Sequence, residues 1–229
     1  MFSISVATLF PEMFDTVLNC SILKRAVKFK CVEFNVFNIR NFAFNKHNSV
    51  DDSPYGGGNG MLMQAEPIYK CYEHALDKKK EKLRVIYMSP KGRVLTQKKV
   101  IELSRIKQPL FLICGHYEGI DQRLIDEIVD EELSIGDYVL TGGELAALVV
   151  IDSVVRLLPG VLASSKCYEE DSHFNGILEY PQYTRPRIWH DKEVPEVLLS
   201  GNHYDIRNWR EKEAYEVTRK NRPDLLKKI

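Results

Sequence analysis

The sequence predicts an α/β protein built on a parallel sheet with helices packed over it. Three observations carry that expectation. Strand-like apolar runs alternate with helix-like amphipathic ones over residues 2–159. The run "LFLICG" (110–115) is apolar without interruption, as a strand buried on both faces must be. The chain has 229 residues and is 44% hydrophobic, enough to bury a sizeable core in one or two domains.

Taken in order, "FSISVATLF" opens as a strand. "PEMFDTVLNCSILKRAVK" follows as a helix, with Pro11 suited to a first turn, where the missing N–H leaves no bond unmade. "VEFNVFNI" is a second strand. Residues 39–65 are irregular and glycine-rich. "RVIYMSP" is a strand and "TQKKVIELSRI" a helix capped by the Thr96 hydroxyl. Beyond "LFLICG", "IDQRLIDEIV" is a helix, "DYVL" a short strand burying Tyr138, Val139 and Leu140, and "GGELAALVVIDSVVRLL" the longest helix. The apolar stretch 145–163 is broken by Asp152, Arg156 and Pro159, so it reads as a buried helix and not a membrane span. After Pro159 the character changes. Residues 163–176 mix Ser, Lys, Glu, Asp and Gly with little periodicity, which suits a linker or mobile loop. "DIRNWREKEAYEVTRKNRPDLLKK" is a charged amphipathic helical segment.

Thirty-two Lys/Arg balance thirty-two Asp/Glu, but the signs are separated. Residues 77–107 hold eleven bases against three acids, whereas 115–150 are predominantly acidic. That division permits a polyanion on one surface and a neutral or cationic ligand elsewhere. The five cysteines (20, 31, 71, 114, 167) form no close pair, and Met1-Phe2-Ser3-Ile4 lacks the basic start of a signal peptide. Free thiols in a reducing cytoplasm are the expectation.

Glycine-bearing turns follow several strands: "PYGGGNGM" (54–61), "SPKGR" (89–93), "CGHYEG" (114–119) and "IGDYVLTGG" (135–143). Ligands of open parallel sheets sit at the carboxyl ends of strands, so the last three can converge on one crevice and the first can cap it. No string matches the Walker phosphate loop, and "GNGMLM" has Met63 where the dinucleotide fingerprint needs its third glycine. What is left is exposed backbone N–H and C=O groups between apolar walls, with Glu118 or a nearby acid for a ribose hydroxyl or a cationic centre. That pattern suits a neutral or cationic adenosine derivative; the plainer alternative is that the glycines only make tight turns. In "KHNSVDDSPYGGGNG" (46–60), Asp51 and Asp52 can bind a metal, accept from a guanine edge, or cap a turn. In "YEEDSHFNG" (168–176), adjacent Glu169, Glu170 and Asp171 repel one another, so one can act as a base near neutrality; the alternative is a solvated linker. Arg156, on the apolar helix, needs a partner.

"TLFPEMF", "VDDSPYGGGNGM", "SPKGRVLTQ", "CGHYEGID", "DEELSIGDYVLTGGELAA", "IDSVVRLLPGVL", "YTRP", "VPEVLLSGNH" and "RPDLL" occur in this order over almost the whole length. In these blocks the chain resembles the bacterial tRNA (guanine-N1-)-methyltransferases of the SPOUT superfamily, which methylate the guanine at tRNA position 37. The resemblance implies a SPOUT-type parallel sheet with a deep C-terminal trefoil knot, which topology rules alone argue against. It implies a methyltransferase domain over 1–162, a linker over 163–176 and a small helical tRNA-binding domain over 177–229. S-adenosyl-L-methionine is the implied methyl donor. Its pocket would be formed by Tyr87, Met88, Ser89 and Pro90, by Gly115, Tyr117, Glu118 and Gly119, by Ile135, Gly136, Asp137, Tyr138, Val139 and Leu140, and by Gly142 and Gly143.

By the same resemblance Asp171 is the general base and Arg156 the catalytic arginine. Asp51 and the Gly56–Gly60 loop would read the guanine pair, Glu170 would also contact tRNA, and Arg219, Lys220 and Arg222, with the rest of the basic tail, would meet the tRNA phosphates. The family works as a homodimer whose base reaches in from the partner subunit, and Mg2+ dependence is a family trait. The chain departs from the family's pattern in places. It has His116 where Arg is usual, Asn38-Ile39-Arg40-Asn41-Phe42 for "NPRDF", Ala163 for a hinge Gly, His173 after Asp171-Ser172 where "DSF" is usual, and Cys167 where Ser is frequent. Two rivals are a SPOUT ribose 2′-O-methyltransferase, which has no need of the Asp171 loop, and a non-catalytic RNA-binding protein, which has no need of Asp171 and Arg156.

Overall fold

A computed structural model describes residues 1–44, 46, 48–164 and 166–227. His47 and Ser165, which fall inside the stretches 46–60 and 163–176, lie outside the described residues. The chain divides into two compact units, Met1–Ala163 and Ser164–Ile229.

The first unit runs β1 (Phe2–Thr8), α1 (Glu12–Leu18), α2 (Ser21–Lys28), β2 (Val32–Asn38), a 3-10 turn (Ile39–Phe42), β3 (Asp51–Asp52), β4 (Leu62–Met63), α3 (Ala65–Lys79), β5 (Arg84–Val94), α4 (Gln97–Arg105), β6 (Leu110–Cys114), α5 (Gln122–Ile128), β7 (Glu131–Ser134) and α6 (Glu144–Val155). Five strands form one sheet in the order β2-β1-β6-β5-β7, with every pairing parallel. All five residues of β6, at the centre, are buried, because helices cover both faces of the sheet there. On one face Phe111 and Ile113 of β6 pack with Ile68, Cys71 and Ala75 of α3 and Leu124 of α5. On the other face lies α6, which touches β1, β6, α1, α2 and α4. Eight of its residues are buried, so its apolar content reflects burial within the domain.

Three local expectations are corrected. The segment 138–140 is not a buried strand: Tyr138, Val139 and Leu140 are 55%, 81% and 36% exposed, and the strand is "EELS" one turn earlier. Glu131–Leu133 pair with Ile86–Met88 of β5, so tertiary pairing overrides the weak intrinsic preference of two glutamates for a strand. The expected helix over 11–28 is two helices, because Asn19 closes α1 by donating from Nδ2 to the Asp15 carbonyl (2.8 Å) and Ser21 takes a positive φ of 47°. Residues 66–83, to which the sequence reading assigned no element, contain α3, whose Ile68, Cys71 and Ala75 mark one helical face. The expected cap is present, with Thr96 Oγ1 accepting from Lys99 N–H (3.3 Å); Asp121, not anticipated from sequence, caps α5 by accepting from Arg123 N–H (2.9 Å).

The second unit has α7 (Lys166–Glu169), a small hairpin of β8 (Ile188–Trp189) and β9 (Lys192–Glu193), a 3-10 turn (Glu196–Leu199), α8 (His203–Asn221) and α9 (Pro223–Leu226). Asn202 caps α8 by accepting from Tyr204 and Asp205 N–H. The buried Thr218 hydroxyl donates to the Ala214 carbonyl (2.7 Å) and accepts from Leu178 N–H (2.9 Å), tying the incoming chain to the helix. Among the described residues no helix is long and apolar enough to cross a membrane, and all five cysteines are free thiols.

Candidate functional site

The carboxyl ends of β5, β6 and β7 open into a cavity of about 450 Å³. The walls come from β5 itself and from the segments that follow β6 and β7. β5 contributes Tyr87, Met88, Ser89 and Pro90; the turn after β6 contributes Gly115, Tyr117, Glu118 and Gly119; the segment after β7 contributes Ile135, Tyr138, Val139, Leu140, Gly142 and Gly143. Fourteen of the sixteen residues expected at a cofactor pocket therefore line one space. Gly136 and Asp137 do not. Gly136 instead gives room to the Tyr138 ring, since a Cβ there would lie 2.5 Å from it, and Asp137 is exposed.

The turns are fastened to each other. Gly143 N–H donates to the Gly115 carbonyl (2.9 Å), and His116 and Gly142 form an isolated antiparallel bridge. Tyr117 has φ 57° and Gly119 φ 119°, so the turn after β6 is held in a left-handed conformation that its Gly tolerates and its Tyr resists. The first glycine cluster reaches the same rim: Glu118 N–H donates to Met61 O (3.0 Å), Met63 N–H to Gly119 O (2.9 Å), and a Cβ on Gly60 would meet Glu118 Oε1 at 2.6 Å. Asp51 is registered opposite Met63 in the β3–β4 pair.

The cavity is acid-lined. Glu118 and Glu132 face it, with Lys91 as the basic residue. Glu132 Oε2 is buried and has no hydrogen-bond partner among the described residues. An uncompensated buried carboxylate oxygen is costly, and a cation or hydrogen-bond donor entering the cavity would relieve it. Burial pushes the Tyr87 phenol up to about 12, with the Glu132 charge acting in the same direction and a backbone hydrogen bond at Ile120 against it. Tyr87 is therefore a neutral aromatic wall at physiological pH.

The sequence reading missed Glu132, Leu133 and Ser134 as pocket residues, because it set the strand at 138–140 and gave 131–134 no element. It also missed Leu62, Lys91, Gln122, Ile125, Thr141 and Ala146 in the lining. The acidic run "DEELS" beside a glycine turn was the available signal for Glu132.

The remaining expected residues stand elsewhere. Arg156, half-buried, caps the C-terminus of α6 in the first unit, where a cation suits the helix dipole. Asp171 is in the second unit, half-buried in a turn whose backbone bonds join Asp171 N–H to Tyr168 O (3.2 Å) and Phe174 N–H to Asp171 O (3.2 Å). Glu170 is exposed and accepts from the Tyr180 hydroxyl (3.5 Å). Arg219 and Arg222 are exposed and pair with Glu216 (2.6 Å) and Asp224 (2.8 Å); Lys220 is exposed beside them. No group of three or more His, Cys, Asp or Glu among the described residues is placed to hold a metal ion.

Such a cavity defines the class: an α/β domain with a ligand-sized, acid-lined pocket at the carboxyl edge of a parallel sheet. Comparison with known proteins then narrows the class. The family model described as "tRNA (Guanine-1)-methyltransferase TrmD" matches residues 2–228, and the chain belongs to that family. The chain is 55% identical over 224 residues to a tRNA (guanine-N(1)-)-methyltransferase of Ruminiclostridium cellulolyticum, covering 98% of this chain and 96% of the relative. Relatives of the same name from Alkaliphilus metalliredigens (54% identity, 98% and 91% covered) and Buchnera aphidicola (53%, 98% and 94%) are similar to it.

Proposed function

We propose that this protein transfers a methyl group from S-adenosyl-L-methionine to N1 of the guanine at tRNA position 37. The observation that carries the reading is the cavity with the unpartnered Glu132 oxygen in a chain of this family. The residues fit the donor. Tyr87, Met88, Leu133, Leu140 and Ala146 offer apolar faces for an adenine, backbone groups of the glycine turns offer its edge hydrogen bonds, and Glu118 and Glu132 offer negative charge to a cation. When bound, the donor supplies an electrophilic methyl on a positively charged sulfur.

The chain's own residues do the rest. Guanine N1 carries a proton at neutral pH and is a poor nucleophile until that proton leaves. Asp171 accepts it, and Arg156 stabilises the negative charge that develops on O6. Asp51 and the loop that ends at Gly60 hold the guanine pair, Glu170 contacts the tRNA, and Arg219, Lys220 and Arg222 meet tRNA phosphates. The described residues bring no metal-ligand set together, so no step is routed through Mg2+.

The domain reading is a methyltransferase domain over 1–162, a linker over 163–176 and a tRNA-binding helical domain over 177–229. A trefoil knot is supported by the path of the chain. The segment after edge strand β7 returns to the middle of the sheet, where Gly143 bonds Gly115, while β5 pairs with β7 both at Ile86–Met88 and again at Arg93–Val94. A homodimer with the active site at the subunit interface is supported by exposed apolar side chains next to the cavity. Leu145 and Val149, one turn apart on α6, are 50% and 45% exposed, and Val139 stands nearby in sequence on the cavity wall. Of the two rivals, neither the ribose methyltransferase nor the non-catalytic binder is favoured by a specific observation.

The test is to incubate the protein with labelled S-adenosyl-L-methionine and a tRNA transcript carrying guanines at positions 36 and 37, then map the modified atom. Label on N1 of guanine 37 is expected. Label on a ribose oxygen, or none, overturns the reading.

A further inference from the structure

Behind the cavity wall sits a buried charge that the proposed chemistry does not use. Glu144 opens α6 and is only 2% exposed. A carboxylate so placed needs partners, and it has three. Thr8 Oγ1, at the end of β1, donates to Glu144 Oε1 (2.8 Å). His116 Nε2, in the turn after β6, lies 3.6 Å from Oε2, an electrostatic contact longer than a hydrogen bond. The first turn of a twelve-residue helix adds the favourable end of the helix dipole.

These contacts close into a circuit. The Thr8 hydroxyl that donates to Glu144 also accepts from Phe10 N–H (2.9 Å), and the Phe10 ring lies 4.9 Å from the His116 ring. His116 N–H donates to Met63 Sδ (3.2 Å) and its backbone bridges Gly142. Three segments remote in sequence therefore meet at one carboxylate: the end of β1, the turn after β6 and the turn before α6. The latter two are walls of the cavity, and His116 and Gly142 themselves line it.

Gly142 shows that the contact shapes the wall. Its φ is not in the left-handed region, so the backbone does not demand glycine there. Space does. A Cβ at that position would lie 2.4 Å from both Glu144 Oε2 and His116 Nε2. The missing side chain is what lets carboxylate and imidazole approach.

We propose that Glu144 is a positioning residue for the methyl-donor pocket: through His116 and the space left by Gly142, its carboxylate sets the spacing of the two glycine turns that grip the ligand. The proposal rests on the reading that the cavity binds S-adenosyl-L-methionine. Glu144 does not touch the ligand and moves no proton. Its effect is on the shape of the free pocket, so it acts on donor affinity and leaves tRNA recognition alone.

The test is calorimetric titration of S-adenosyl-L-methionine into the full-length wild type, Glu144→Gln, Glu144→Asp, His116→Gln and the Glu144→Gln/His116→Gln double variant, with KM for each substrate and thermal melting alongside. Glu144→Gln keeps an acceptor for Thr8 and loses the charge facing His116. It is expected to raise the Kd for the donor about tenfold while KM for tRNA stays within about twofold, with Glu144→Asp recovering part of the loss. The double variant is expected to be no weaker than the worse single one, because both remove the same contact. Donor affinity unchanged in Glu144→Gln, strictly additive losses, or equal losses for donor and tRNA each overturn the proposal. Should Glu144→Gln fail to fold, Gly142→Ala wedges the same pair apart with both side chains kept. A donor Kd unchanged in that variant overturns the proposal equally. A wild-type protein that never binds the donor overturns the methyl-donor reading itself, an outcome distinct from variants that bind as the wild type does.

Discussion

The two units of this molecule place their chemistry in opposite ways. The first encloses its candidate ligand site: three strand ends, glycine turns fastened by backbone hydrogen bonds, and two carboxylates facing a cavity of about 450 Å³. The second holds its candidate residues on the outside. Glu170, Arg219, Lys220 and Arg222 are exposed; Arg219 and Arg222 pair with Glu216 and Asp224 nearby in sequence, and Glu170 accepts from the Tyr180 hydroxyl within the same unit. Recognising a small molecule by shape requires walls held in place, and a sheet covered on both faces supplies them. Recognising a polyanion by charge requires reach and exposure, which a solvated helix supplies.

Asp171 tests that comparison most severely, because the proposed base belongs to the second unit and is not among the residues that line the cavity. Asp171→Asn is expected to lower single-turnover methylation by about two orders of magnitude or more, the scale of losing a general base, while donor binding stays near wild type. Comparable turnover would remove the second unit from the chemistry and leave the enclosed cavity as the whole active site.

A smaller effect is expected at the tail. The pairs Arg219–Glu216 and Arg222–Asp224 are exposed, and such pairs contribute little, so both arginines can exchange an acid for a phosphate. Neutralising Arg219, Lys220 and Arg222 together is expected to weaken tRNA binding and to flatten the slope of log K against log salt by roughly two to three. An unchanged slope would mean that this face is only solvated.

The smallest effect is a titration confined to the first unit. Burial pushes both Tyr87 and Cys71 up to about 12, from ordinary values near 10 and 9. The folded state therefore holds these protons after the unfolded chain has released them. The stability they contribute is fully present below about pH 9, declines as pH rises, and is lost through about pH 12. Melting followed at Tyr87→Phe should show a shallower alkaline decline than the wild type. Identical slopes would mean that burial at this wall is not felt as a titration.

Much of this is legible in the sequence alone. β6 announced itself by five consecutive apolar residues, because a strand covered on both faces has no solvent side to mark. The convergence of the glycine turns followed from the rule that parallel strands end on one edge. Other features were not legible. β7 is "EELS", a sequence with little strand preference, and it is a strand because β5 offers it an open edge. Placing the strand at Tyr138–Leu140 followed local β propensity, but that segment is a cavity wall with its side chains out.

By itself, then, the sequence determined the class of fold, the glycine turns at the strand ends, the separation of acidic and basic stretches and the family to which the chain belongs. Each of these is written in residue type, period or a contiguous block. Only the tertiary structure decided which residues of 131–143 pair and which line the cavity, that Glu132 leaves an oxygen without a partner, and that Gly142 is small to make room for Glu144 and His116. Those outcomes depend on atoms brought together from distant parts of the chain, and close approach in space has no local period by which a sequence can announce it.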